Sequence, residues 1–181
     1  MNDISSELAK LHELTGSDFV RQLKLIVAEG GFHHVESETG IFSLGGEQGE
    51  DYDNLMNAAR KAVGHGFQVY ILPNPKGIRT ADFIFVRKGV FRLFDLKTIV
   101  GRNSVGNRLK ESIGQTDRVL LNLQCDYNVR NLTTEVRHYF EMSASAQEVL
   151  VFIGSKEISI KGLHRNDVIP ASCRANSRSS K

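Results

Sequence analysis

Cysteine is scarce in this sequence and long hydrophobic runs are absent. Only Cys125 and Cys173 occur among the 181 residues, and no CxxC pair is present, so neither a disulfide framework nor a zinc knuckle is indicated and two free thiols are expected. No apolar run approaches the ~20 residues that cross a bilayer, and the N-terminus lacks the apolar core of a signal peptide. We therefore expect a cytoplasmic protein with one substantial core and no membrane segment.

Several familiar catalytic motifs are missing as well. The sequence contains no GxSxG, no HExxH and no glycine-rich phosphate loop, and neither cysteine has local support as a nucleophile. The adjacent pair His33-His34 has no acidic residue spaced to join it, and neighbouring side chains point apart in regular structure, so a surface or loop pair is the simpler interpretation.

Charge is distributed unevenly along the chain. Residues 1–60 contain four basic and eleven acidic residues, whereas residues 74–110 contain nine basic residues and only two acidic ones, Asp82 and Asp95. A basic strip of this kind is a plausible footprint for a polyanion such as nucleic acid. A solvated hairpin with surface charge explains the same composition, and charge alone does not choose between the two.

Hydrophobic periodicity predicts a mixed sheet flanked by helices, which belongs to the α/β or α+β class. Two apolar runs joined by Arg87-Lys88-Gly89 predict an antiparallel hairpin. The predicted helices are 5–14, 17–29, 51–64, 108–117 and 133–145, and the predicted strands are 67–73, 80–86, 90–98, 118–124, 148–154 and an edge strand at 157–161. The expected organisation is a helical and loop region at 1–48, a catalytic domain at 49–160 and a loose basic tail at 161–181.

Two aspartates and a lysine occupy the inner ends of the predicted hairpin. Asp95 and Lys97 share one face of the second strand, and Asp82 begins the first strand, so the hairpin can bring the two carboxylates together. Two close carboxylates become stable together when a divalent cation lies between them, and oxygen ligands suit Mg²⁺ or Mn²⁺ better than Zn²⁺. Such a metal activates water and stabilises charge on a scissile phosphate, and Lys97 is suited to assist. An ordinary Asp95–Lys97 ion pair is the alternative.

The order and spacing of these residues resemble the PD-(D/E)XK nuclease superfamily, whose core is a helix, a three-stranded meander, a helix and a strand. The stretch at 51–124 carries the likeness: "TAD" with Asp82 stands where the superfamily has "PD", and Asp95-Leu96-Lys97 stands for the second motif. More narrowly, "VYILPNPKGIRTADFIF", "FDLKT" and "RLKESIGQTDRVLLNL" look like the C-terminal tRNA nuclease toxin domains of contact-dependent growth inhibition proteins.

The resemblance implies a restriction-endonuclease-like fold and further site residues. It implies a metal-dependent endonuclease acting on RNA, especially tRNA, in preference to DNA, with a neutralising immunity protein as partner and the cytoplasm of a target bacterium as the place of action. In that family a glutamine after the D-x-K strand often contributes, here Gln115. The superfamily also supplies an acid from the preceding helix. We expect Asp51 to fill this role as a third metal ligand, because it shares a helical face with the packed residues; the other candidates are Glu50, Asp53 and Asn54.

Basic and polar residues around the motif are candidates for substrate contacts. Arg108, Ser112 and Gln115 are spaced as one stripe of the helix predicted at 108–117, and the first two are expected to meet the substrate backbone. Lys76, Arg79 and Arg102 would supply phosphate contacts. The alternatives are a DNA endonuclease of a mobile element, a catalytically inactive nucleic-acid-binding module, and a protein-interaction domain that uses the acidic segment 36–53.

Overall fold

An eight-stranded mixed sheet with helices on both faces forms the centre of the computed structural model, which confirms the predicted fold class. The structure describes residues 10–11, 13, 16–44, 51–73, 80–101 and 105–162. The helices are α1 (Gly16–Ala28), α2 (Tyr52–Gly64), α3 (Val105–Ser112) and α4 (Val129–Met142). The strands are β1 (His33–His34), β2 (Ile41–Ser43), β3 (Gln68–Ile71), β4 (Phe83–Arg87), β5 (Val90–Ile99), β6 (Arg118–Leu123), β7 (Glu148–Ile153) and β8 (Lys156–Lys161).

The strands lie in the sheet in the same order as in the chain. β3, β4 and β5 form an antiparallel meander, β5, β6 and β7 are parallel to one another, and β8 pairs antiparallel to β7 at one edge. The β4–β5 hairpin closes through Lys88 and Gly89, whose φ angles of 52° and 75° are those of a type I′ turn. The predicted hairpin and the predicted edge strand are both confirmed.

Two hydrophobic layers cover the two faces of the sheet. The small side chains Ala58, Ala59 and Ala62 let α2 pack closely on one face, against a cluster that includes Phe94 and Leu120. Helices α3 and α4 cover the opposite face over β5, β6 and β7, and α1 covers that same face over β3, β4 and β5. Because alternate residues of a strand point to opposite faces, each position of β5 belongs to one of these two layers.

Several boundaries differ from the sequence-based expectation. β1 and β2 were not anticipated, because two- and three-residue strands are too short to show an alternating pattern. Helix α4 begins several residues before the predicted start, since the side chain of Asn128 accepts hydrogen bonds from the backbone N–H groups of Arg130 and Asn131 and thereby caps it. Helix α3 begins before the predicted residue 108 and stops at Ser112, well short of residue 117.

The sequence predicts no membrane segment, and the helices of the described residues can be compared with this prediction. Within the described ranges, every helix is too short or too polar to span a bilayer. Cys125 is a free thiol, as expected, whereas Cys173 lies outside the described residues. The three-part division at 48 and 160 stays a prediction.

Candidate active site

Asp82 and Asp95 face each other across the start of the β4–β5 hairpin. The register pairs Phe83 with Phe94, so Asp82, one residue before β4, lies opposite Asp95 and on the same face of the sheet. The backbone N–H of Asp82 donates to the carbonyl of Phe94 at 2.9 Å, and the N–H of Leu96 donates to Asp82 Oδ2 at 2.6 Å. The hairpin thus brings together the two carboxylates that the sequence singled out.

Burial and the neighbouring Asp95 carboxylate change the pKa of Asp82. Asp95 is only 2% exposed. Burial, followed by repulsion from the Asp95 carboxylate, raises the pKa of Asp82 to about 7, although the Leu96 N–H and the Lys97 ammonium act in the opposite direction. The Asp82 carboxyl therefore keeps its proton more readily than an ordinary aspartate, because its ionisation would put a second negative charge beside Asp95 in a buried place.

Lys97 is the cation beside this pair. Its Nζ lies 3.1 Å from Oδ1 and 3.0 Å from Oδ2 of Asp95, and its side chain is 14% exposed. The i, i+2 spacing on β5 places both residues on one face, so the ion pair that was the alternative interpretation is present. This ion pair does not account for the whole site, because one ammonium group faces two carboxylates.

Ser112 and Tyr139 form the buried surroundings of Asp95 rather than a substrate surface. Ser112 is fully buried, and its hydroxyl donates to the carbonyl of Leu109 at 2.7 Å. Tyr139 is also fully buried on α4; burial raises the pKa of its hydroxyl, the Ser112 hydroxyl lowers it, and the Asp95 and Asp117 charges raise it further. Because Ser112 is fully buried, a substrate backbone cannot reach it in this conformation.

Gln115 lies outside the helix on which the sequence analysis placed it. Gly114 has a φ of +82°, a left-handed conformation that ends the turn after α3, and the Gln115 side chain donates to the carbonyl of Glu111 at 3.0 Å. The predicted stripe is therefore wrong in geometry, because Ser112 points inward and Gln115 belongs to a turn. Of the three residues, Arg108 alone is exposed on α3, where it pairs with Glu111 at 2.9 Å.

The expected third acid is not assembled with the other two. Asp51 is exposed at the start of α2, the helix on the opposite face of the sheet, and its side chain caps no N–H group. Asp53 is exposed and Asn54 partly buried on the same helix, while Glu50 lies outside the described residues. Across the described part of the chain, no three histidine, cysteine or acidic side chains converge as a metal-binding group.

Three predicted phosphate contacts cannot be placed. Lys76, Arg79 and Arg102 lie outside the described residues. Their roles stay predictions.

Asn122 is a buried polar residue that is not among the candidates predicted from the sequence. It lies on β6, is fully buried, accepts a 2.7 Å hydrogen bond from Lys61 Nζ and donates one of 2.9 Å to Asn57 Oδ1. An asparagine inside the apolar run "RVLLNL" is the signal that could have revealed it, because a buried amide needs hydrogen-bond partners from a neighbouring element.

The donor set of Asp82 and Asp95 suits a hard divalent cation. Mg²⁺ is commonly held by one or two carboxylates, with waters and substrate phosphate completing its shell, so a third acid is not essential. Burial and then the facing Asp95 carboxylate raise the pKa of Asp82, and a bound divalent cation would favour the ionised form of both groups. The residues present therefore fit Mg²⁺ or Mn²⁺, with Asp82 and Asp95 as ligands.

Comparison with known proteins gives one distant likeness. No protein-family model matches the chain, and no curated protein is significantly similar to it. Among solved structures, a CdiA-CT/CdiI toxin and immunity complex from Burkholderia pseudomallei aligns over 66% of this chain and 98% of that chain, with 16% sequence identity and a TM-score of 0.45. A likeness of this size identifies neither an activity nor a substrate.

Proposed function

We propose that this protein is a metal-dependent endonuclease that hydrolyses phosphodiester bonds. The observation that supports this most is the pair of facing carboxylates: Asp82 with a pKa of about 7, opposite the nearly fully buried Asp95, and beside Lys97. Groups with strongly perturbed pKa values, held by neighbouring strands, are typical of catalytic sites.

In this proposal the residues have separate tasks. A divalent cation, when bound, would supply Lewis-acid stabilisation of charge on the scissile phosphate. Asp82 and Asp95 hold that cation, and the Leu96 N–H fixes the orientation of the Asp82 carboxylate. Lys97 orients the attacking water or offsets charge on the phosphate, because its ammonium is anchored on Asp95 and 14% of its side chain is still exposed. Arg108, exposed on α3, contacts the substrate backbone.

The substrate class rests on the sequence resemblance. We propose RNA, and tRNA in particular, with a toxin role and a cognate immunity protein as partner. Hydrolysis assisted by a metal does not need the ribose 2′-OH, so the same residues would also serve a DNA endonuclease.

Cleavage of total cellular RNA, with the cut ends mapped, tests the proposal. The wild type should cut with Mg²⁺ or Mn²⁺ and should stop cutting when EDTA is added. Asp95→Asn should lose roughly a hundredfold or more of the rate, because a metal ligand is removed. Asp126→Asn, at an exposed position, is the matched control and should retain the wild-type rate. Equal cleavage by the wild type and Asp95→Asn would contradict the assignment.

A non-catalytic nucleic-acid-binding module is the second candidate. The observation that favours it is the absence, within the described ranges, of a third acid that converges on Asp82 and Asp95. Salt-dependent RNA binding by the wild type, without cleavage at any divalent metal concentration, would support this candidate instead.

A further inference from the structure

Lys61 on α2 belongs to a polar network on the face of the sheet opposite Asp82 and Asp95. Its Nζ donates to Oδ1 of the fully buried Asn122 at 2.7 Å, and Asn122 Nδ2 donates to Asn57 Oδ1 at 2.9 Å. Asn57 lies one helical turn before Lys61, so both side chains meet the end of β6 from the same helix. Asn122, whose amide is itself oriented by Asn57, therefore holds the lysine ammonium at a defined position.

This network has a positive charge without a carboxylate beside it. No acidic residue in the described part of the chain forms an ion pair with Lys61, and burial lowers the pKa of its ammonium. Asp53, the acidic residue of α2, is exposed one turn before Asn57. An ammonium has three hydrogens, and Asn122 accepts one of them. Two donors thus remain for a ligand.

Thr98 adds a hydroxyl group next to the same network. The β5–β6 register pairs Thr98 with Asn122, so their side chains are neighbours on the face that α2 covers. The Thr98 hydroxyl oxygen is buried and has no hydrogen-bond partner among the described residues. A buried hydroxyl without a partner is unfavourable, so a ligand or water that completes its hydrogen bonding is favoured.

We propose that Lys61, Asn57 and Thr98 form a binding site for one phosphate group. Asn57 accepts the hydrogen bond through Oδ1, so its Nδ2 hydrogens are available to a ligand, and the residue is exposed to solvent. Ammonium, amide and hydroxyl donors match the oxygens of a phosphate, and a cation would be repelled by Lys61.

The phosphate can come from a nucleic-acid backbone or from free phosphate in solution. Thr98 follows Asp95 by three residues on β5, a distance of about 10 Å along the strand. In this proposal, a nucleic-acid strand bound at Asp82 and Asp95 continues around the end of the sheet to reach Lys61 on the opposite face. The nucleic-acid source rests on the proposed function, whereas binding of phosphate itself does not.

Titration of the full chain with inorganic phosphate, followed by NMR of the lysine side chains without divalent metal, tests the site. The Lys61 resonance should shift and saturate, while the exposed Lys110 should not. Lys61→Gln should weaken phosphate binding at least fivefold, and Lys110→Gln should leave it unchanged. Asn122→Asp, which puts a carboxylate against Lys61, should also suppress binding. If phosphate does not shift the Lys61 resonance and RNA binding does not depend on Lys61, the proposal is overturned.

A short single-stranded RNA distinguishes the two sources. In the Asp95→Asn background and without divalent metal, Lys61→Gln should weaken RNA binding at least threefold and reduce the salt slope by about 1. This result would identify the backbone phosphate as the ligand. Loss of phosphate binding with unchanged RNA binding would identify free phosphate. Neither measurement depends on cleavage. The phosphate site can therefore be confirmed even if the protein cleaves no RNA, and it can be refuted even if the protein does.

Discussion

Asp95 and Glu148 are the two most deeply buried acidic residues in the described part of the chain, with exposures of 2% and 4%. They belong to the same sheet but have different charged neighbours. Glu148 accepts a 2.6 Å hydrogen bond from the Ser159 hydroxyl and lies 3.5 Å and 3.6 Å from the guanidinium groups of Arg92 and Arg118. Its charge is therefore met by two cations, one from β5 and one from β6.

Asp95 has the opposite balance. One ammonium group, that of Lys97, faces both Asp95 and the opposing carboxylate of Asp82. A buried charge cluster that serves stability alone is expected to be compensated, because an uncompensated buried charge costs several kcal/mol. At Asp82 and Asp95 a proton or a bound cation can offset the second negative charge, and the proposed function assigns this place to a divalent cation.

The largest expected effect on stability comes from breaking the compensated cluster. Glu148→Gln removes the carboxylate that faces Arg92 and leaves Arg118 with Asp117 alone, and we expect the free energy of unfolding to fall by roughly 4 kcal/mol. Urea denaturation at pH 7 measures it. If the change leaves stability intact, Glu148 is not the compensated counterpart that the comparison requires.

Removing charge from the pair of Asp82 and Asp95 should act in the opposite direction. Asp82 has a pKa of about 7 in the folded state and an ordinary value of 3.8, so between about pH 4 and pH 7 the folded protein binds more protons than the unfolded chain. The free energy of unfolding therefore falls as the pH rises through this window, and the loss is complete above it. Asp82→Asn should remove this loss and gain roughly 3 kcal/mol relative to the wild type at pH 8.

The matched control for this effect is Asp126→Asn at an exposed position. Melting curves of the wild type and both variants from pH 4 to pH 8 provide the measurement. Parallel pH profiles for the wild type and Asp82→Asn would show that the Asp82 carboxylate is not destabilising.

A divalent cation should also offset the repulsion, by a smaller amount. Mn²⁺ at ten times its dissociation constant should raise the free energy of unfolding at pH 8 by about 1.4 kcal/mol, since it binds only the folded state. Glu148→Gln should keep this gain, whereas Asp95→Asn should lose it. Equal stabilisation of both variants by Mn²⁺ would place the cation elsewhere.

The smallest effect belongs to an exposed pair. Arg108 and Glu111 are each about half exposed, and Arg108→Gln should change the free energy of unfolding by less than about 0.5 kcal/mol. The same change should nevertheless weaken RNA binding severalfold if Arg108 contacts the backbone. Unchanged RNA affinity at low salt would remove Arg108 from the substrate contacts.

Local chemistry made the hairpin and its carboxylates predictable. Lys88-Gly89 specifies the turn, and the register that follows from it brings Asp82 and Asp95 to one face. The end of α3 was harder, because Gly114 can either continue or terminate a helix, and only the packed structure shows its left-handed conformation.

Other parts of the site depend on tertiary packing that a sequence does not display. Asp51 has the helical phase of the packed residues, yet its helix covers the face opposite Asp95. The partners of Asn122 are equally hidden, since Asn57 and Lys61 are more than sixty residues away and reach it only because α2 packs on the sheet. Ser112 has the spacing of a polar stripe but points into the protein.

Binding of Mn²⁺ to the purified chain, counted by electron paramagnetic resonance, tests the central claim most directly. The wild type should bind one Mn²⁺ per chain, Asp82→Asn and Asp95→Asn should each lose it, and Asp126→Asn should keep it. Binding of Mn²⁺ that is the same in the wild type and in both variants would contradict a cation site at Asp82 and Asp95.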